Sequence, residues 1–75
     1  MNKARRTAIK KVFEQLEELM ATVEVLRDEE QDAFDNLPES FQSSERGETM
    51  EENIDALDSA YNSIEEAKDL LEELL

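Results

Sequence analysis

Asp35-Asn36-Leu37-Pro38-Glu39-Ser40-Phe41-Gln42-Ser43-Ser44-Glu45-Arg46-Gly47 holds the chain's only proline and its only glycine. It separates two long stretches in which apolar residues recur at helical spacing, so its reading decides the fold. Pro38 disfavours helical angles at Leu37, and a helix arriving from the N-terminal side should stop there. Asn36 tolerates a left-handed C-cap, and Pro38 favours a short helical turn starting at itself. Leu37 and Phe41 are apolar in a polar connector. They are expected to bury against the last turn of the first helix and the first turn of the second. Arg46 is the only cation between Asp28 and Ala67. It is expected beside Asp32, Asp35 or the last carbonyls of the first helix, where positive charge is favoured.

Upstream, Ile9, Leu16, Val23 and Leu37 share one heptad phase, interrupted by Glu30. Val12, Leu19, Leu26 and Ala33 lie three positions on, and Phe13, Met20 and Phe34 widen the stripe. This is the apolar face of a long helix, with the period of left-handed pairing. At Glu30 either the stripe rotates towards Phe34 or the carboxylate pairs with Arg27 or Arg46; rotation is the favoured reading. Downstream, Ile54, Tyr61 and Leu75 share one phase, with Lys68 as the exception. Met50, Leu57, Ile64 and Leu71 form the partner phase, flanked by Ala60, Ala67 and Leu74. Tyr61 is expected in the core with its hydroxyl at the edge. Thr49-Met50-Glu51-Glu52 reads as a capping box, while Ser43 or Ser44 is an earlier candidate cap.

The predicted fold class is therefore all-α: two long antiparallel helices, a helical hairpin that dimerises into a four-helix bundle. One domain spans 1–75, with helix 1 over about 3–36, the connector over about 37–47 and helix 2 over about 48–75. The expected self-association seam is Leu16, Leu19, Val23, Leu26, Leu57, Tyr61, Ile64 and Leu71; the expected connector residues are Leu37, Pro38, Phe41 and Arg46. Dimerisation is expected because chains under about 70–80 residues rarely gain more than ~3–5 kcal/mol from one core. A high net charge favours disorder, but 22 large apolar residues placed with a period oppose it.

Composition narrows the function. In 75 residues there is no Cys and no His, which removes disulfides, thiolate zinc sites and the commonest general base. One glycine cannot build a phosphate-cradling loop. No apolar run approaches a membrane span and no signal peptide is visible. Paired carboxylates lack a cleft in which one pKa could be raised. Asp28-Glu29-Glu30-Gln31-Asp32 lacks the alternation and central glycine of a calcium loop. The expectation is a soluble, cytoplasmic, non-enzymatic protein with no cofactor and no metal.

Charge is unevenly distributed. Lys3, Arg5, Arg6, Lys10 and Lys11 lie in the first thirteen residues, which hold no acid. From Glu14 onward 21 acids face three bases, and the chain carries −13 in all. The basic arm and Asp69, Glu72 and Glu73 each oppose their own helix dipole; an antiparallel hairpin makes them neighbours, and the alternative is that the arm binds an external partner. In helix 2, Glu51, Asp58, Glu65 and Glu72 recur every seven residues. Further rows contain Glu48, Asp55 and Asp69, and Glu52, Glu66 and Glu73. Such rows serve as a solvated face or as a contact for a basic partner. Carboxylates about 5–6 Å apart on a helix come close to phosphate spacing along a strand, and the charge exceeds the ~2–8 that solubility needs. The candidate partner-binding residues are Glu51, Asp55, Asp58, Glu65, Glu66, Asp69 and Glu72. Direct binding to nucleic acid or to an anionic membrane is disfavoured by repulsion.

The motif Asp35-Asn36-Leu37-Pro38-Glu39-Ser40, then Gln42, then Ser44-Glu45-Arg46-Gly47-Glu48, resembles one carried by small acidic uncharacterised proteins of tailed phages and prophages of Gram-positive bacteria. The opening Met1-Asn2-Lys3-Ala4-Arg5-Arg6 and the acidic tail around Asp55 and Leu57 are similar too. The resemblance covers most of the chain and supplies a context without site residues. It implies a bacterial host cytoplasm and an inhibitor whose acidic surface blocks a basic host protein, such as a defence nuclease or another nucleic-acid-binding factor. The alternative is a self-assembling structural or adaptor coiled coil whose acids serve only solubility.

Overall fold

A computed structural model describes residues 1–75. The chain is all-helical: α1 over Lys3–Asp35, a single turn α2 over Glu39–Gln42, and α3 over Glu45–Glu72. α1 and α3 run antiparallel as a thin hairpin of 58 × 14 × 12 Å. Its radius of gyration is 17.2 Å, against about 11 Å for a compact chain of this length. The 33 residues of α1 account for roughly 50 Å of that length at 1.5 Å each.

Asn2 starts α1: its Oδ1 accepts from the Arg5 N–H at 2.7 Å, satisfying one of the free donors of the first turn. The end of α1 is a tight right-handed turn. Asn36 sits at φ −85°, ψ −5°, and no residue has positive φ, so the left-handed cap expected at Asn36 does not form. The Asn36 N–H bonds the Asp32 carbonyl at 3.0 Å and the Leu37 N–H bonds that of Phe34 at 3.0 Å. Pro38 then stops the helix and precedes the one-turn α2, as its fixed φ favours.

α3 runs from Glu45 to Glu72, so the expected 48–75 is displaced by three residues at each end. Ser44 is its N-cap residue, in extended conformation, and its hydroxyl donates to the Phe41 carbonyl. The capping-box reading at Thr49 is wrong, since Thr49 lies inside the helix. The start at Glu45 is accommodated by Gly47, which sits buried in the first turn. A Cβ there would collide with the Gln42 carbonyl oxygen, so only glycine lets α2 pack on the start of α3.

The connector differs from expectation in two side chains. Leu37 is half-buried, but Phe41 is 52% exposed, because α2 turns that ring outward. Arg46 is exposed on α3 and makes no ion pair. The carbonyls expected to attract it are met by Gln42, whose Nε2 donates to the carbonyls of Phe34 at 3.2 Å and Leu37 at 3.1 Å. A neutral amide already in reach satisfies those acceptors without holding a long cation in place.

Between the helices the α1 side is Ile9, Phe13, Leu16, Met20, Val23, Arg27, Glu30 and Phe34, all buried or half-buried. The α3 side is Met50, Ile54, Leu57, Tyr61, Ile64, Lys68 and Leu71. Hence Leu16, Val23, Leu57, Tyr61, Ile64 and Leu71 of the expected seam pack inside the hairpin. Leu19 and Leu26 do not: they are 52% and 48% exposed, with Val12 at 45%. Both three-residue and four-residue offsets continue the heptad. The offset with Phe13, Met20 and Phe34 covers more apolar area, which is the larger driving force. Only Met20 and Ile54, at 7% and 6% exposure, form a closed core.

Candidate protein-interaction surface

Three polar contacts set the register of the two helices. Arg27 Nε donates to Asp58 Oδ1 at 2.9 Å, and Arg27 Nη1 lies 3.6 Å from Asp28. The hydrogen bond to Asp58 raises the Arg27 pKa above its ordinary value, with smaller contributions from the charges of Asp58 and Asp28. Glu30 Oε2 accepts from Asn53 Nδ2 at 2.8 Å. Neither expected arrangement at Glu30 therefore occurs: it stays in the seam and pairs with an amide. Lys68, the exception in the α3 phase, places its Nζ 5.5 Å from the Phe13 ring centroid, a cation–π contact.

This register gives the hairpin two unlike flanks. On one, Glu24, Asp28 and Asp58 border an open groove with Arg27, Leu57 and Tyr61. The groove continues past Gln31, Glu51 and Asp55 in one direction and past Glu17 and Lys68 in the other. Glu65 and Glu72 extend the Glu51–Asp58 row along α3, one carboxylate per ~10 Å of rise. Asp55, Glu66 and Asp69 lie further round the outside of α3. All seven sequence-derived acidic candidates are exposed. Asp58 differs from the rest because it is engaged by Arg27.

Sequence reasoning missed the α1 contribution to this flank. Glu17 and Glu24 stand seven residues apart, and the antiparallel register brings both to this flank, Glu24 beside Asp58 and Glu17 beside Lys68. Their spacing was visible; the side of the hairpin they would occupy was not, because it depends on which offset α1 buries.

The opposite flank is apolar and small. Leu26 and Ala56 border a groove with Glu29, Glu30 and Asn53. Val12, Leu19 and Ala33 continue the Leu26 row on α1, and Ala60, Ala67 and Leu74 run beside it on α3, all exposed. The five arm cations Lys3, Arg5, Arg6, Lys10 and Lys11 are exposed, and both ion pairs of the chain belong to Arg27. The hairpin brings the arm alongside the end of α3, yet the expected pairing with Asp69, Glu72 and Glu73 is not made at contact distance.

No three acids converge as a metal site requires. No helix is long and apolar enough to cross a membrane. The grooves are shallow and open, so what the surface offers is contact along a rod. The molecule is thus an extended all-α hairpin with one acidic and one apolar flank. The chain matches no protein-family model, no curated protein and no solved structure.

Proposed function

We propose that the chain is a non-enzymatic, protein-binding inhibitor whose acidic helical flank occupies a basic, nucleic-acid-binding surface of a bacterial host protein. The observation that carries this reading is the two-helix acidic flank, in which Glu24 and Asp28 of α1 stand beside Asp58 of α3, Glu51 and Asp55 continue the groove, and Glu65 and Glu72 follow in the same α3 row. A rigid rod with regularly spaced carboxylates is complementary to a groove that holds a phosphate backbone. The similarity of the connector to small acidic phage proteins supplies the setting, a defence protein of a Gram-positive host being the expected class of target. In this reading the hairpin pairs with a second copy into a four-helix bundle, which would cover the apolar row Val12, Leu19 and Leu26 that the single hairpin leaves exposed.

The test is capture of basic proteins from a Gram-positive host lysate with the tagged chain, then competition against the captured protein's nucleic acid over a salt series. Capture and competition should weaken steeply as ionic strength rises. Asp55→Asn, Glu65→Gln and Glu72→Gln together should lose competition with helicity intact. Asp58 is left unchanged because its loss would also break the contact with Arg27. Undiminished competition by the triple variant overturns the reading.

A second reading, a self-assembling structural or adaptor protein, is favoured by the exposed row Val12, Leu19 and Leu26. In that reading the chain forms its assemblies without capturing a basic host protein, and the triple variant leaves assembly unchanged.

A further inference from the structure

We infer that the apolar flank is a twofold interface in which two hairpins pack antiparallel, with Leu19 on the axis. This rests on the four-helix bundle proposed above and names its face and orientation.

The first support is self-complementary spacing. An axis through Leu19 sets Val12 opposite the partner's Leu26, because the two are equally distant from it. The register given by Phe13–Lys68, Glu30–Asn53 and Arg27–Asp58 brings residues 63–64 of α3 to the height of Leu19. The same axis then sets Ala60 opposite the partner's Ala67, again at equal distances. One rotation thus pairs the central apolar residues of both rows, as an isologous interface demands. The alanines allow α3 to approach its partner closely where α1 brings bulky Leu and Val.

The second support is charge. The terminal end of the rod, residues 1–13 with 66–75, holds six cations and four acids, a net +2. The loop end, residues 28–53, holds ten acids against Arg46, a net −9. A parallel dimer would stack −9 on −9. An antiparallel dimer lays the basic arm, unpaired at contact distance in the single hairpin, over the partner's acidic loop end.

The third support is exposure: Val12, Leu19, Leu26 and Leu74, 44–52% exposed in the single hairpin, lie on this one flank, and apolar surface left in water is what a second copy would cover. The acidic flanks stay outward in this arrangement, so the dimer presents two inhibitory faces.

The chain has no cysteine, so the geometry can be tested with single introduced ones. The parent should have the mass of a dimer by light scattering at roughly tens of micromolar. Leu19→Glu places two like charges together on the axis; it should raise the dissociation constant roughly a hundredfold or more while helicity is retained. Under mild oxidation Leu19→Cys should cross-link to itself. Val12→Cys should cross-link to Leu26→Cys in a mixture and far more slowly to itself. A monomeric parent overturns both the bundle and this interface. A dimer indifferent to Leu19→Glu, or Val12→Cys linking to itself as fast as to Leu26→Cys, overturns the interface and leaves the bundle standing.

Discussion

Arg27 and Asp58, 31 positions apart in the chain, meet across the hairpin through a 2.9 Å bond between Nε and Oδ1. Arg27 occupies a position in the inter-helix seam where the heptad would accept Leu, and its side chain is one-third exposed. A partly solvated pair contributes little to stability. Its effect is on register, since a slide of one helical turn along α3 would leave Arg27 without Asp58. Arg27→Leu is expected to raise the thermal midpoint by replacing a half-solvated cation with apolar contact against Ile54. The same change should broaden the amide spectrum by admitting shifted pairings. A lowered midpoint with a single sharp spectrum would contradict this assignment.

Gly47 should be the least tolerant position of the connector. Alanine gains up to about 1 kcal/mol of helix propensity, but its Cβ would meet the backbone carbonyl of Gln42, which cannot swing away. Gly47→Ala is expected to cost a net ~1–3 kcal/mol, read by urea unfolding.

Core and flank should separate in a truncation pair. Met20 lies in the closed part of the seam, and Met20→Ala should lower hairpin stability by ~2–3 kcal/mol. Leu26→Ala, on the exposed flank, should cost under about 0.5 kcal/mol at protein concentrations too low for self-association. Equal losses at low concentration would place Leu26 inside the hairpin after all.

The two ends of α1 are held by single side chains. Asn2→Ala removes the acceptor for the Arg5 N–H and should cost ~1 kcal/mol, seen as faster amide exchange over the first turn. Gln42→Ala strips the carbonyls of Phe34 and Leu37 of their donor. It should cost ~1 kcal/mol, with faster exchange at residues 36–44.

Apolar periodicity, Pro38 and the count of acids were enough to determine that two long helices flank a short turn. These are local properties: a 3.6-residue repeat and a fixed φ act on whatever chain carries them. The rows of acids on α3 were legible for the same reason. Which α1 row faces α3 was not legible. Val12–Leu19–Leu26 and Phe13–Met20–Phe34 satisfy one repeat equally, and only contact with α3 decides between them, through the larger area of Phe and Met and the partners found by Arg27, Glu30 and Lys68. That choice turns Leu19 and Leu26 outward and brings Glu24 beside Asp58. Gly47 belongs to the same class. In the sequence it marks a loop, and only the approach of the Gln42 carbonyl shows it to be a first-turn helix position where a side chain would push α2 away.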